Sequence, residues 1–286
     1  FPGTHNSMSA AEFRGWMFAN QEMGPLTQLR DGVRAFLIDV YPGIAVGERV
    51  KTDIDDGEIV REKYEGILGR EGFDAAVRIR NRLLTEEDGD HALYLCHGLC
   101  ELGALPLVPL LASMREFLVL NPHEVLIIIF EDAVAPAEIE TAFRESRLID
   151  FVYRRHPGPP WLTLREMIAT DQRVLVLAEK DGRGVPWYHQ AFEVFQETPY
   201  SFHDPSEFSC AANRGGTAGP LFLMNHWIST APSSLPSDAE IVNAYDVLLA
   251  RAEECRRDRG LIPNVVAVDF YRTGDLLPVA QTLNEW

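Results

Sequence analysis

The sequence predicts a parallel α/β fold, a (β/α)8 barrel in preference to a doubly wound sheet. Short β-branched runs alternate with amphipathic stretches along the chain, as in repeated βαβ units. The strand-like runs number eight once two short ones are included, and 286 residues suit a barrel of the usual ~250-residue size. His5, Asp39, His97, Glu131, Asn225 and Asp269 fall at or just beyond the C-terminal ends of these runs, where barrels build their sites.

A truncated strand leads into His5, followed by a helical pattern over Ala10–Met23. Val33–Val40 is the second strand, and its near-continuous apolar run is that of a parallel strand buried on both faces. Gly47–Asp90 then interrupts the alternation. It is charged, contains Asp53-Ile54-Asp55-Asp56-Gly57, and shows helical patterning at Glu58–Leu68 and Phe73–Leu84. It reads as an insertion after the second strand that caps the pocket. The acidic run lacks the spacing and terminal Glu of an EF-hand, so it is expected to be a solvated loop.

Ala92–Cys96 reads as the third parallel strand, Pro106–Val119 as a helix and Glu124–Phe130 as a strand. Pro136–Arg147 is helical, and a short helix at Leu162–Met167 leads into the strand Arg173–Ala178. A strand near Glu193–Thr198, the strand Leu221–Asn225, the helix Asp238–Arg257, the strand Val265–Phe270 and the helix Gly274–Leu283 complete a single domain over 1–286.

Hydrophobic residues make up 46% of the chain, enough for a substantial core. No apolar stretch approaches the ~20 residues of a membrane span. The chain opens four residues before His5, which reads as a processed or trimmed start with no targeting signal visible. A formal charge of −17 argues against nucleic acid and against simple adsorption to anionic lipid. Cys96, Cys100, Cys210 and Cys255 allow three connectivities. The pairing Cys96–Cys100 closes a short loop around His97, and Cys210–Cys255 ties a late loop to a late helix; four buried thiols are the alternative. No Cys-x-x-Cys pair suggests zinc, and disulfides imply an oxidising compartment.

His5 in Gly3-Thr4-His5-Asn6-Ser7 and His97 in Leu95-Cys96-His97-Gly98 carry the chemistry. Phosphodiester cleavage by acid–base catalysis needs one imidazole to take a proton from the attacking hydroxyl and another to give one to the leaving oxygen. The ordered series Gly3-Thr4-His5-Asn6-Ser7-Met8, Gly32 to Asp39, Cys96-His97-Gly98, Glu124 to Glu131, Leu223 to Trp227 and Pro263 to Tyr271 resembles the X domain of phosphatidylinositol-specific phospholipase C. The resemblance is to the bacterial and fungal secreted branch, and runs end to end apart from the Gly47–Asp90 insertion.

That resemblance implies a distorted TIM (β/α)8 barrel and a two-histidine mechanism. His5 matches the general base that deprotonates the inositol 2-hydroxyl, and His97 the general acid that protonates the departing diacylglycerol oxygen. Asp269 is the candidate for orienting His5. The family supplies positive charge either through calcium or through an arginine. Asn6, Asp39 and Glu131 match metal ligands, and Leu37 stands where a further carboxylate is expected. Ca2+ is the expected cofactor, with Mg2+ or no metal as alternatives. Candidate substrate contacts are Lys180, Asn225, Tyr271, Arg272, Trp187 and Tyr188; solvation, core packing or a structural salt bridge is the alternative for each, and His226 is read as packing. The expected partner is a phosphoinositide-type lipid at a membrane surface, met by a secreted or cell-surface monomer. Competing readings are a glycerophosphodiesterase or phospholipase D-like enzyme on the same barrel, and an inactive headgroup-binding module.

Overall fold

The computed structural model describes residues 1–54, 58–83, 89–154, 161–230 and 233–285. Its strands are β1 (Pro2–Thr4), β2 (Ala35–Val46), β3 (Arg49–Thr52), β4 (His91–Leu95), β5 (Leu105–Pro106), β6 (Leu126–Asp132), β7 (Val174–Ala178), β8 (Tyr188–Gln190), β9 (Phe195–Glu197), β10 (Leu221–His226) and β11 (Val265–Val268). Its helices are α1 (Pro25–Asp31), α2 (Glu58–Leu83), α3 (Leu107–Leu120), α4 (Pro136–Glu145), α5 (Leu164–Ala169), α6 (Ala191–Val194), α7 (Pro236–Val242), α8 (Tyr245–Arg259) and α9 (Leu276–Leu283).

The parallel sheet runs β8-β7-β6-β2-β1-β11-β10-β9. It curls into an open, distorted barrel whose path ends at β8 and β9. The first and last strands pair at its centre, Gly3 opposite Ala267 and Thr4 opposite Val268.

Period-two alternation sorts each strand into two faces. Phe36, Ile38, Ile128, Phe130, Val176 and Val266 point outward into the large cluster shared with α3, α4, α8 and α9. Ala35, Leu37, Ile127, Ile129, Leu175, Leu177, Leu223, Val265 and Ala267 point inward into a second cluster. Burial on both faces is why these runs lack polar interruption.

Three sequence expectations are corrected. Ala92–Cys96 is not a barrel strand: β4 runs antiparallel to an extension of β2, with Leu95 opposite Val40 and His91 opposite Ile44. The eighth parallel strand is β8, and five apolar residues carry no mark of strand direction. Ala10–Met23 is not helical but a looped segment bridged between Ala10 and Gln21, because Asn20 and Gln21 are buried and bond to the barrel rim. The helix expected at Asp238–Arg257 is two, α7 and α8, broken where Asn243 turns its amide onto the backbone of Asp269 and Thr273.

The insertion after the barrel portion of β2 supplies β3, which hairpins onto β2, and α2, interrupted at Gly69 (φ 68, ψ 159) between the two helical patterns expected there. Leu84 and the acidic residues Asp55 and Asp56 lie outside the described residues. Both expected disulfides form, Cys96–Cys100 and Cys210–Cys255.

Candidate active site

The inward apolar stripe of each strand turns polar at the C-terminal rim. One step of two residues beyond Leu37, Ile129, Leu177, Phe195, Leu223 and Ala267 lie Asp39, Glu131, Glu179, Glu197, Asn225 and Asp269. His5 continues Gly3 in the same way on β1. Asp39 and Glu131 stand opposite each other in the β2–β6 register, and Glu179 donates its backbone N–H to Phe130 one strand over. A cavity of about 310 Å³ opens there, lined by His5, Asn6, Asp39, Glu131, Lys180 and Trp227 among others.

His5 Nδ1 lies 2.9 Å from Asp269 Oδ1, and its ring stacks on Trp227 with centroids 3.9 Å apart and planes 2° from parallel. The second Asp269 oxygen accepts from Asn20 Nδ2 at 3.1 Å. Gln21 Nε2 donates to the carbonyls of His5 (2.7 Å) and Val268 (3.0 Å), tying β1 to β11 beneath the pair. Asn6 adopts φ 45 and Phe270 φ 49, so the chain turns sharply just after each member of the dyad. Such strain in non-glycine residues concentrates at functional sites.

The Asn6 amide nitrogen reaches Asn20 Oδ1 (3.3 Å) and His97 Nε2 (3.2 Å). An amide nitrogen can only donate, so Nε2 of His97 is the acceptor of the Asn6 bond. His97 is exposed, on the loop after β4.

Sequence reasoning missed the far wall. Arg214, from the β9–β10 connection, donates to Glu179 Oε2 at 2.6 Å through one terminal nitrogen, and to both oxygens of Glu197 through Nε and the other. Its guanidinium lies 4.1 Å from the Phe192 ring centre and 4.6 Å from that of Tyr200. Asn225 Nδ2 donates to Glu197 at 3.0 Å. Burial works against the Arg214 charge, but the Glu197 and Glu179 carboxylates more than offset it and hold its pKa above the ordinary value. Burial, opposed by Arg214 and reinforced by the neighbouring Glu131 and Glu197 charges, pushes Glu179 up to about 7. Glu179 and Glu197 were findable by stepping two residues along the stripe. Arg214 sits in a loop with no periodicity to read.

Lys180 and Asn225 line the cavity as expected, and His226 is buried packing. Trp187, Tyr188, Tyr271 and Arg272 do not line it. Trp187 and Tyr188 are buried in the outer core, against Phe143 and Phe130 respectively, because the loop after Pro186 turns straight into β8. Tyr271 and Arg272 both bond to Asp31 at the end of α1.

The PI-PLC X family model (PI-PLC X 1) matches residues 69–284. The chain belongs to the PI-PLC X family. This is a family of phosphodiesterases, and membership supports catalytic activity of that general kind. The chain is 28% identical over 219 residues to a PI-PLC X domain-containing protein 1 of Arthroderma benhamiae, covering 70% of this chain and 72% of that one. It is 27% identical over 210 residues to an uncharacterized secreted protein of the same fungus, covering 64% of this chain and 47% of that one. A PI-PLC X domain-containing protein of Arabidopsis thaliana is 27% identical over 220 residues, with 69% and 49% covered. The chain thus spans about half the length of the last two. A phosphatidylinositol-specific phospholipase C from Staphylococcus aureus shares the fold, with a TM-score of 0.52 at 13% identity and 94% and 85% of the two chains covered. Among the described residues no helix is long and apolar enough to cross a membrane.

Proposed function

We propose that this PI-PLC X chain cleaves phosphatidylinositol-type lipids at the glycerophosphate ester by two-histidine acid–base catalysis through a cyclic inositol phosphate. The observation that carries this reading is the His5–Asp269 pair, whose histidine lines the cavity, with His97 tied to the residue after His5. Asp269 accepts from Nδ1–H, which leaves Nε2 of His5 as the proton acceptor and stabilises the imidazolium that forms. The inositol 2-oxygen attacks phosphorus as its proton passes to His5. The phosphorus–oxygen bond to diacylglycerol breaks as His97 protonates the leaving oxygen. Hydrolysis of the cyclic diester reverses the two roles. The Glu179–Arg214–Glu197 wall, with Asn225 and Lys180, offers hydrogen-bond partners to a polyol.

The donor set fits a hard divalent cation. Asp39 and Glu131 sit opposite each other, and the Asn6 amide nitrogen is engaged by Asn20 and His97, so its oxygen is the atom for a metal. Asn6, Asp39 and Glu131 would hold calcium ahead of magnesium, with water filling the place of Leu37. The ion would supply positive charge to the phosphoryl oxygens. The two disulfides and the secreted relative support an extracellular or cell-surface location.

The test is a panel of phosphatidylinositol, glycosylated inositol lipid and glycerophosphodiesters, followed by phosphorus NMR with and without chelator. Diacylglycerol and a cyclic phosphodiester are expected, with His5→Ala and His97→Ala each lowering turnover by ~10²–10⁴. Release of a free alcohol would mark the phospholipase D-like reaction, and binding without turnover an inactive module. Chelation should lower activity, calcium should restore it better than magnesium, and Asp39→Asn should weaken the rescue. Full activity in chelator would assign the positive charge to Lys180 or Arg214.

A further inference from the structure

We propose that Asn20 is a positioning residue that joins the two halves of the site, holding the His5–Asp269 pair and the Asn6–His97 pair in one line of hydrogen bonds. The proposal rests on the reading of His5 as general base and His97 as general acid.

The line runs unbroken through side chains. His5 Nδ1 donates to Asp269 Oδ1 at 2.9 Å, and Asp269 Oδ2 accepts from Asn20 Nδ2 at 3.1 Å. Asn20 Oδ1 accepts from Asn6 Nδ2 at 3.3 Å, and the same Asn6 nitrogen donates to His97 Nε2 at 3.2 Å. Asp269, Asn20 and Asn6 are 3%, 4% and 3% exposed, so bulk water does not replace a lost partner.

The polarity of the line has one source. An ionised carboxylate accepts and does not donate. Asn20 must therefore turn its nitrogen to Asp269, which leaves its oxygen for Asn6. Asn6 must then offer its nitrogen, and that nitrogen meets the imidazole of His97. The charge on Asp269 thus sets the sense of two amides in turn, with Asn20 as the link between them. Carboxylate and carboxamide planes turn easily about their last torsion, whose wells are broad; Asn20 pins one of each.

The backbone around Asn20 is anchored independently. Its N–H donates to Ser9 O at 2.9 Å, and its carbonyl accepts from the N–H of Phe270, the residue after Asp269, at 2.8 Å. Gln21 Oε1 accepts from the N–H of Tyr271 at 3.2 Å. None of these bonds uses the Asn20 side chain, so truncating that side chain leaves the segment stitched to β1 and β11.

A residue that sets both histidines has a kinetic signature. Proton transfer to His5 is required whichever group departs, whereas the proton from His97 counts in proportion to the basicity of the leaving oxygen. An alkoxide departing from a lipid needs that proton; a nitrophenolate scarcely does. Loss of Asn20 should therefore slow both kinds of ester, and the lipid more.

The test compares phosphatidylinositol with the nitrophenyl ester of inositol phosphate in the full chain. The variants are Asn20→Ala, Asp269→Ala and the two combined, with His5→Ala and His97→Ala as references. Asn20→Ala should lose roughly thirty- to a hundredfold in kcat on the lipid and roughly three- to tenfold on the nitrophenyl ester, with KM within about threefold. Added to Asp269→Ala, it should cost less than about twofold more on the nitrophenyl ester, because the bond it removes is already gone. The downfield proton resonance of His5 Nδ1–H, present in the native protein, should be lost or broadened in Asn20→Ala. Asn20→Ser is read in the same way if the alanine variant does not fold. Equal loss on the two esters, full additivity with Asp269→Ala, or an unchanged His5 resonance overturns the proposal. If His5→Ala keeps its rate, or His97→Ala shows no dependence on the leaving group, the two-histidine reading falls and the proposal with it.

Discussion

At the residue scale, the site is an inward stripe that changes from apolar to ionisable at one level of the barrel, so each polar group rests on a hydrophobic one. His5, Asp39, Glu131 and Asp269 were legible for that reason: each closes a recognisable strand and falls on its inward parity. Arg214 was not, since its partners Glu179 and Glu197 lie 35 and 17 residues away. Nor was the engagement of Tyr271 and Arg272 by Asp31, at separations of 240 and 241. Behind the stripe, His226 is wholly buried. Its Nε2 donates to Val242 O at 2.8 Å, and its Nδ1 accepts from Arg251 at 2.9 Å. Burial first, and the Arg251 charge second, lower its pKa to about 3. The native state therefore stays neutral where the unfolded chain takes up a proton below about pH 6.5. Stability is full above that value and falls as acid is added, by about 2 kcal/mol between pH 6.5 and pH 5. Urea unfolding across that range should show the slope, and His226→Gln should flatten it.

At the element scale, most helices were legible because their apolar faces repeat with period 3.6; α3 and α9 fall close to their expected bounds. Three features were not. The direction of β4 is set by the reach of β2 past the rim, a tertiary fact. The Ala10–Met23 stretch has a helix-like apolar pattern, yet its buried amides are committed to β1 and β11. The break between α7 and α8 follows from a single asparagine stitching to a strand end. The α2 interruption is a backbone matter. Gly69 occupies a region of φ and ψ almost reserved for glycine, and a Cβ there would meet nothing within 4 Å. Gly69→Ala should therefore cost only conformational strain, about 1–3 kcal/mol. A lowered melting temperature with unchanged kinetics on the nitrophenyl ester would bear this out; a changed rate would tie the break to the site.

At the scale of the whole molecule, the two disulfides close loops of very different length, with sequence separations of 4 and 45. Cys210–Cys255 closes a loop of sequence separation 45, for which chain entropy gives roughly 4 kcal/mol of stabilisation. Its removal as Cys210→Ala/Cys255→Ala should lower the denaturant midpoint and leave the ratio of lipid to nitrophenyl rates untouched. A shift in that ratio would show that this bond also reaches the chemistry. The central pairing of β1 with β11 has a temporal consequence. His5 and Asp269 are 264 residues apart, and β1, though it can pair with β2 early, lacks its other neighbour β11 until nearly the whole chain has emerged. Contacts this distant in sequence form slowly. A nascent chain, however well its middle strands have collapsed, holds His5 without its carboxylate partner until its last strand docks.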